Sequence, residues 1–237
     1  MPATVVLVHG ACHGAWCWDK VVAGLTERGI PCVAVDLPGH GDSREPLGDL
    51  AAGAAALRAT LDGIDRSVVC GHSYGGAVIT EGAAEHPGVR HLVYITAFAL
   101  LPGESTMAAA TDGSDSDTAT ELGQAMAFAD DGTVTFQAPA VVDALYHDCT
   151  PADVEFALSR LGPERLDALG GVATRAAWQS IPSTYVVCTE DRGVAPSLQR
   201  RLAARTTTTV DWPTSHSPFL SRPDLVVDLL AGLAEGT

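Results

Sequence analysis

The stretch Val68-Val69-Cys70-Gly71-His72-Ser73-Tyr74-Gly75-Gly76-Ala77-Val78-Ile79 constrains the fold of this chain more than any other. Its first three residues read as a short buried strand, and those from Gly75 onward as the start of a tightly packed helix. Between them, residues 71–75 fit the pattern G-x-S-x-G. A strand that turns at once into a helix needs small neighbours, because the turn is strained and its two arms pass close together. Such a turn presents the serine hydroxyl at the end of a sheet. The pentapeptide alone also arises by chance, so its context has to decide.

The context is an alternation. Thr4–Val8 is a β-branched apolar strand that runs into His9-Gly10-Ala11-Cys12-His13-Gly14. Trp18, Val21, Val22 and Leu25 then recur at helical spacing, and the helix closes at Gly29. A second strand spans 30–36, an alanine-rich helix 47–62, the strand and helix of the opening stretch follow, and a further strand spans 91–96. Strand, helix, strand, helix predicts a parallel sheet covered on both faces, the α/β class.

After Pro102 the rhythm breaks. Residues 103–120 hold Gly, Ser, Thr and Asp with little apolar periodicity, and this segment is expected to be mobile. From there to 178 the pattern predicts short helices and one strand-like piece at 133–136. Pro151, preceded by Thr150 and followed by Asp153 and Glu155, marks a capped helix start. The region 103–178 reads as a mainly helical cap inserted after the strand at 91–96. Residues 1–102 and 179–237 form the core, which resumes with strands at 184–189 and 207–212 and helices at 196–205 and 223–234.

With 237 residues, 46% of them apolar, the chain can bury a sizeable core without disulfides. The six cysteines (Cys12, Cys17, Cys32, Cys70, Cys149, Cys188) form no CxxC pair and are expected to be reduced and structural. A formal charge of −15 argues against nucleic acid or an anionic membrane as partner. Met1 leads into a strand within three residues, without a basic or apolar leader, so the cytoplasm is the expected location. A homodimer is compatible with the sequence. The histidines show no metal-ligand grouping, and neither a metal nor another cofactor is expected.

A serine hydroxyl becomes a useful nucleophile only when a base takes its proton and an acid holds that base in the right tautomer. In α/β sheets such groups gather where strands end at their carboxyl edges. Ser73, Asp191 and His216 each follow a strand, in the chain order Ser, acid, His. Glu190 and Asp211 are alternative acids. Two backbone N–H groups complete the expected machinery as an oxyanion hole: that of Tyr74, directly after the serine, and that of Ala11, in the loop after the first strand. His9 and His72 flank the site as loop-pinning residues. Asp36 and Asp42 read as turn-stabilising. Gly10, Cys12, Trp16, Met126, Phe128, Tyr146 and Trp178 are candidates for the substrate pocket.

Six stretches carry a resemblance: "VVLVHGACHGAWCWDKV" (5–21), "VDLPGHGDS" (35–43), "CGHSYGGAVIT" (70–80), "YHDCTPADVEFALSRL" (146–161), "YVVCTEDRGVAP" (185–196) and "TSHSPFLSRPDLVVDLL" (214–230). Together they resemble the α/β-hydrolases that include plant methyl esterases of the salicylate-binding type, plant hydroxynitrile lyases and bacterial esterases. The resemblance implies a core sheet with a cap, a cofactor-free triad on Ser73, Asp191 and His216, and small carboxylic esters as substrates. In the lyases a threonine lies beside the oxyanion loop and a lysine follows the catalytic histidine. This chain has Gly10 and Ser217 there. The expected activity is therefore cleavage of small, moderately apolar esters through an acyl-enzyme. A lyase or cyclase using the same triad as proton shuttle, and a non-catalytic ligand-binding receptor, are the alternatives.

Overall fold

The structure, a computed structural model, describes residues 1–111 and 121–237, with Glu121 described by its backbone alone. Strand β1 (Thr4–Val8) leads through a 3-10 turn (Ala15–Trp18) into α1 (Asp19–Glu27), then β2 (Cys32–Val35) and α2 (Leu50–Leu61). Next come β3 (Ser67–His72), α3 (Gly75–Gly82) and β4 (Val89–Ile95). An inserted stretch holds α4 (Thr106–Thr111), α5 (Glu121–Ala125), β5 (Met126–Phe128), β6 (Thr133–Phe136), α6 (Ala140–Leu145), α7 (Pro151–Arg160), β7 (Glu164–Arg165) and α8 (Leu166–Gly170). The chain returns through β8 (Ser183–Cys188), α9 (Pro196–Ala203), β9 (Thr208–Trp212), α10 (Pro218–Ser221) and α11 (Pro223–Gly236).

Six strands pair in the order β2-β1-β3-β4-β8-β9, every neighbouring pair parallel. Successive side chains on a strand point to opposite faces, so continuous apolar runs feed two cores at once. Val6, Val8, Val69, Tyr94 and Val187 pack with α2, α3 and α9 on one face. Val5, Leu7, Val68, Cys70, Val93 and Val186 pack with α1 and α11 on the other. The register aligns Val8 with Gly71, His72 with Ile95, and Cys188 with Trp212. The strands thus end near one edge, and the loops after β1, β3, β4, β8 and β9 emerge together.

The inserted stretch is mainly helical, but it also contains a three-stranded antiparallel sheet, β5-β6-β7. Only β6 is legible in the sequence. β5 has three residues and β7 two, too few to show alternation, and pairing with β6 is what makes them strands. Helix α7 starts as expected, with the Thr150 side chain accepting from the Asp153 amide at its N-terminus. The expectation of mobility at 103–120 falls mostly on residues 112–120, outside those described. The described cysteines are all free. No described helix is long and apolar enough to cross a membrane.

Candidate active site

Ser73 sits between β3 and α3 with φ at +51°, in the left-handed region that a side chain seldom occupies. The glycines around it allow the turn. A Cβ on Gly71 would lie 2.6 Å from the Gly75 carbonyl oxygen, and one on Gly75 would lie 2.6 Å from the carbonyl oxygens of Val8 and His9. Backbone bonds then hold the strained residue. The Ser73 amide donates to Ile95 (3.3 Å), and its carbonyl accepts from Gly76 (2.9 Å) and Phe98 (3.2 Å).

His216 and Asp191 come from the loops after β9 and β8. His216 Nδ1–H donates to Asp191 Oδ2 at 2.7 Å, with both side chains buried. Asp191 accepts four further bonds: Gly193 N (2.7 Å) and Val194 N (2.9 Å) on Oδ1, Thr96 Oγ1 (2.5 Å) and Gln199 Nε2 (3.0 Å) on Oδ2. A carboxyl group facing five donors acts purely as an acceptor, which leaves His216 Nε2 as that ring's free nitrogen. Of the alternative acids, Asp211 is exposed and paired with Arg200 at 2.9 Å. Glu190 is exposed as well, and its backbone carbonyl accepts from His147. Thr96 and Gln199 are not legible as site residues in the sequence, since nothing in a strand-end threonine or a mid-helix glutamine announces a carboxylate contact. The end of β4 beside β8 was the available signal for Thr96.

Three buried histidines hold the surrounding loops. His9 Nδ1–H donates to Gly10 O (2.8 Å), while its Nε2 accepts from Leu37 N (3.1 Å). His13 Nδ1–H donates to Ala11 O (2.8 Å), and its Nε2 accepts from the Tyr146 hydroxyl (2.7 Å). A carbonyl can only accept, so each ring is fixed as the neutral Nδ1–H tautomer. Burial, with His40 adding for His9, pushes His9 down to about 3; burial likewise pushes His13 down to about 4. His72 Nε2–H donates to the His216 carbonyl at 2.8 Å, and burial lowers its pKa too. The pinning expected of His9 and His72 is thus visible as bonds. Asp36 accepts from Ala15 N (2.6 Å) and Asp42 N (3.0 Å), tying the loop after β2 to the one after β1.

With the Gly10 and Ala11 carbonyls tied down, the Ala11 amide and the Tyr74 amide have no acceptor among the described residues. Ser73, His216, Ala11 and Tyr74 all line one cavity of about 570 Å³. A Cβ on Gly10 would lie 3.0 Å from Ser73 Cβ, so this glycine is what lets the first loop approach the serine. Gly10, Met126 and Phe128 line the cavity, as do Phe98, Leu122, Leu145 and Leu198. None of the described lining residues is Asp, Glu, Lys or Arg.

Four of the pocket candidates lie elsewhere. Cys12 is buried, with its thiol on the Val134 carbonyl of β6 (3.8 Å) and its own carbonyl accepting from Gly162. Trp16 stacks on His13 and meets Phe156 edge-on. Tyr146 is spent on His13, and the Trp178 indole N–H donates to Leu100 O at 2.9 Å. Large side chains in loops and inserted helices read equally well as pocket or packing, and here packing took these four. Among the described residues, no group of three or more His, Cys, Asp or Glu could hold a metal ion.

A doubly covered parallel sheet whose strand ends bring a strained serine and an acid-bonded histidine to one cavity has the architecture of an α/β hydrolase. The chain belongs to the Alpha/beta hydrolase family, whose model matches residues 5–229. It is 30% identical to "Alpha/beta hydrolase nvfD" of Aspergillus novofumigatus over 97% of this chain and 96% of that protein. It is 27% identical to "Methylesterase 2" of Arabidopsis thaliana, over 97% and 95%. Among solved structures it is similar to a polyneuridine aldehyde esterase (TM-score 0.84, 20% identity, 98% and 99% of the two chains). A pyrethroid hydrolase from Sphingobium faniae JZ-2 is also similar (TM-score 0.85, 23% identity, 98% and 97%). At these identities the two structures speak for the fold.

Proposed function

We propose that this protein is a carboxylic-ester hydrolase acting through Ser73, His216 and Asp191. The observation that carries the reading is the convergence, on one cavity, of a serine strained at a strand–helix elbow, an Asp191-bonded histidine and two amides with no acceptor among the described residues. The esterase names of several relatives that span nearly the whole chain support the reaction class.

In this reading His216 Nε2 takes the proton of Ser73 Oγ as it attacks the ester carbonyl. The charge that develops on the carbonyl oxygen meets the Ala11 and Tyr74 amides, and such donors are worth roughly 10²–10³ in rate each. His216 then returns the proton to the departing alcohol, and water attacks the acyl-enzyme by the same route. Residues 103–178 serve as the cap over the cavity, through which α4, α5, β5 and β6 supply much of its apolar wall. Among the described residues the lining is uncharged, which disfavours ionised substrates because no charged side chain there offsets their desolvation. The substrate class is thus neutral and apolar, matched to a cavity of about 570 Å³. Among the described residues that lining also offers no Lys or Arg beside His216 to receive an anionic leaving group such as cyanide.

Labelling with a fluorophosphonate, mapped by peptide mass spectrometry, tests the reading alongside a panel of p-nitrophenyl and methyl esters. The expected result is a single adduct on Ser73, with ester turnover reduced at least ~10⁴-fold in Ser73→Ala. An unlabelled protein, or a Ser73→Ala variant that retains turnover, would overturn it.

A further inference from the structure

Three consecutive residues of the inserted stretch each hold a different loop of the site. Tyr146, His147 and Asp148 follow α6 in a turn closed by the Cys149 amide on the Tyr146 carbonyl at 2.9 Å. The turn spreads their side chains in three directions. The Tyr146 hydroxyl donates to His13 Nε2 at 2.7 Å, and His13 passes the constraint to the Ala11 carbonyl. His147 Nε2–H donates to the Glu190 carbonyl at 2.9 Å, one residue before Asp191. Asp148 accepts from the Ser215 amide at 2.9 Å and from the Ser215 hydroxyl, one residue before His216.

The loops so held carry the Ala11 amide, Asp191 and His216. Their own strands fix where they begin; the relative placement of their tips is a separate matter, since each spans several residues past the sheet. We propose that Tyr146, His147 and Asp148 act as a three-point positioning clamp. It sets the oxyanion loop, the acid loop and the base loop in register with one another, so that the inserted stretch tunes the reaction as well as walling the cavity. None of the three needs to touch the substrate. Tyr146 acts by anchoring His13 Nε2, so that the ring, whose Nδ1–H is already committed to the Ala11 carbonyl, keeps one position. Asp148 acts by holding the backbone immediately before His216. The Glu190 carbonyl accepts from the half-exposed His147, the most solvated of the three contacts, so that link is the weakest.

The inference rests on the esterase reading for its kinetic consequence, and the test separates the two. Tyr146→Phe, His147→Ala, Asp148→Asn and Asp148→Ala are made in the full chain. Each is assayed for kcat and KM on a p-nitrophenyl ester well below its Tm. Ring 15N shifts of His13 and the far-downfield proton of the His216–Asp191 hydrogen bond are recorded in parallel. Small misplacements of reacting groups cost rate, so kcat is expected to fall roughly 10- to 100-fold in Tyr146→Phe and Asp148→Ala. KM should stay within about twofold, as expected when only transition-state contacts suffer. Asp148→Asn, which keeps one acceptor oxygen, should fall between Asp148→Ala and the wild type, and His147→Ala should have the smallest effect. The His13 Nε2 shift should move in Tyr146→Phe as that nitrogen loses its donor, and the downfield proton should move in Asp148→Ala. A lower Tm with kcat and both resonances unchanged would overturn the clamp. A wild type without Ser73-dependent ester turnover would sink the esterase reading, yet resonances that still move in the variants would uphold the clamp.

Discussion

The carboxyl edge of the central sheet and the inserted stretch between β4 and β8 both build the site, by opposite means. At the sheet edge, backbone geometry and buried polar bonds leave each group one position. Ser73 is held at φ +51° by three backbone bonds, and Asp191 by five donors. The inserted stretch contributes an apolar wall of side chains such as Met107, Leu122, Met126 and Phe128, with Met107 and Phe128 exposed. Directional bonds define a reaction, whereas apolar surface defines only a volume and a polarity. In the proposed esterase the first region would therefore specify chemistry and the second select substrates, with residues 146–148 as the place where they meet.

The largest expected effect lies at the sheet edge. Asp191→Asn would place an amide N–H₂ among donors and give His216 Nδ1 a poor partner. In a comparable triad that change lowers kcat about 10⁴-fold. Steady-state kinetics on a p-nitrophenyl ester would check it, and a loss under tenfold would mean that the acid is not held as described.

Next in size is a stability effect. Gly75→Ala would drive a methyl into the carbonyls of Val8 and His9, both backbone and unable to yield cheaply. A cost of about 3 kcal/mol or more is expected in urea unfolding. Gly123→Ala in the inserted stretch, where an added Cβ meets nothing within 4 Å, should leave stability nearly unchanged. Equal losses at the two positions would erase the contrast between the regions.

The smallest effect of a single substitution separates the regions by pH. His9 and His13, inside the core loops, have pKa values lowered by burial to about 3 and about 4. Below pH 6.5 the unfolded chain binds protons that these folded rings refuse, so stability falls with pH by up to about 1.4 kcal/mol per unit per ring, levelling off below the folded values. His40 behaves in the opposite sense. It lies 3.3 Å from Glu164 of β7, in a buried pair that joins the core to the inserted stretch. Burial is the largest influence and works to lower its pKa, but Glu164, the Pro38 carbonyl and Asp36 together outweigh it and the net shift is upward. Its contribution is present in full below the unfolded pKa and is lost as pH rises through the folded one. Tm measured against pH should therefore show His40→Gln losing a few degrees near pH 6 and converging on the wild type at alkaline pH. Parallel curves would mean that the pair contributes nothing that depends on charge.

Much of this was legible from residues alone, for identifiable reasons. Val5–Val8, Val68–Cys70 and Val186–Cys188 are buried on both faces, so their continuous apolar runs show in the sequence as strands within a residue or two of their observed ends. The elbow was legible because few residue types tolerate its geometry. β5 and β7 were not, because strands of three and two residues exist only through their partner. Nor was the division of aromatic residues between cavity and packing. Trp16 and Phe128 are both large and apolar, and which of them faces the cavity depends on neighbours far away in the chain.

The alternation of strand and helix, the strained turn at Ser73 and the chain order of serine, acid and histidine are written in the residues. Each follows from local constraints: side-chain periodicity, the clearance that glycine permits and the ends of predicted strands. The packing of the whole chain is what turns Asp191 toward His216 while Glu190 and Asp211 face elsewhere. It alone brought Thr96 and Gln199 onto that carboxylate and set Tyr146, His147 and Asp148 on three separate loops. Those outcomes depend on which groups meet across distances in sequence of up to 133 residues, as between His13 and Tyr146. Meetings at that range follow from how the sheet and the inserted stretch pack, and no local pattern encodes them.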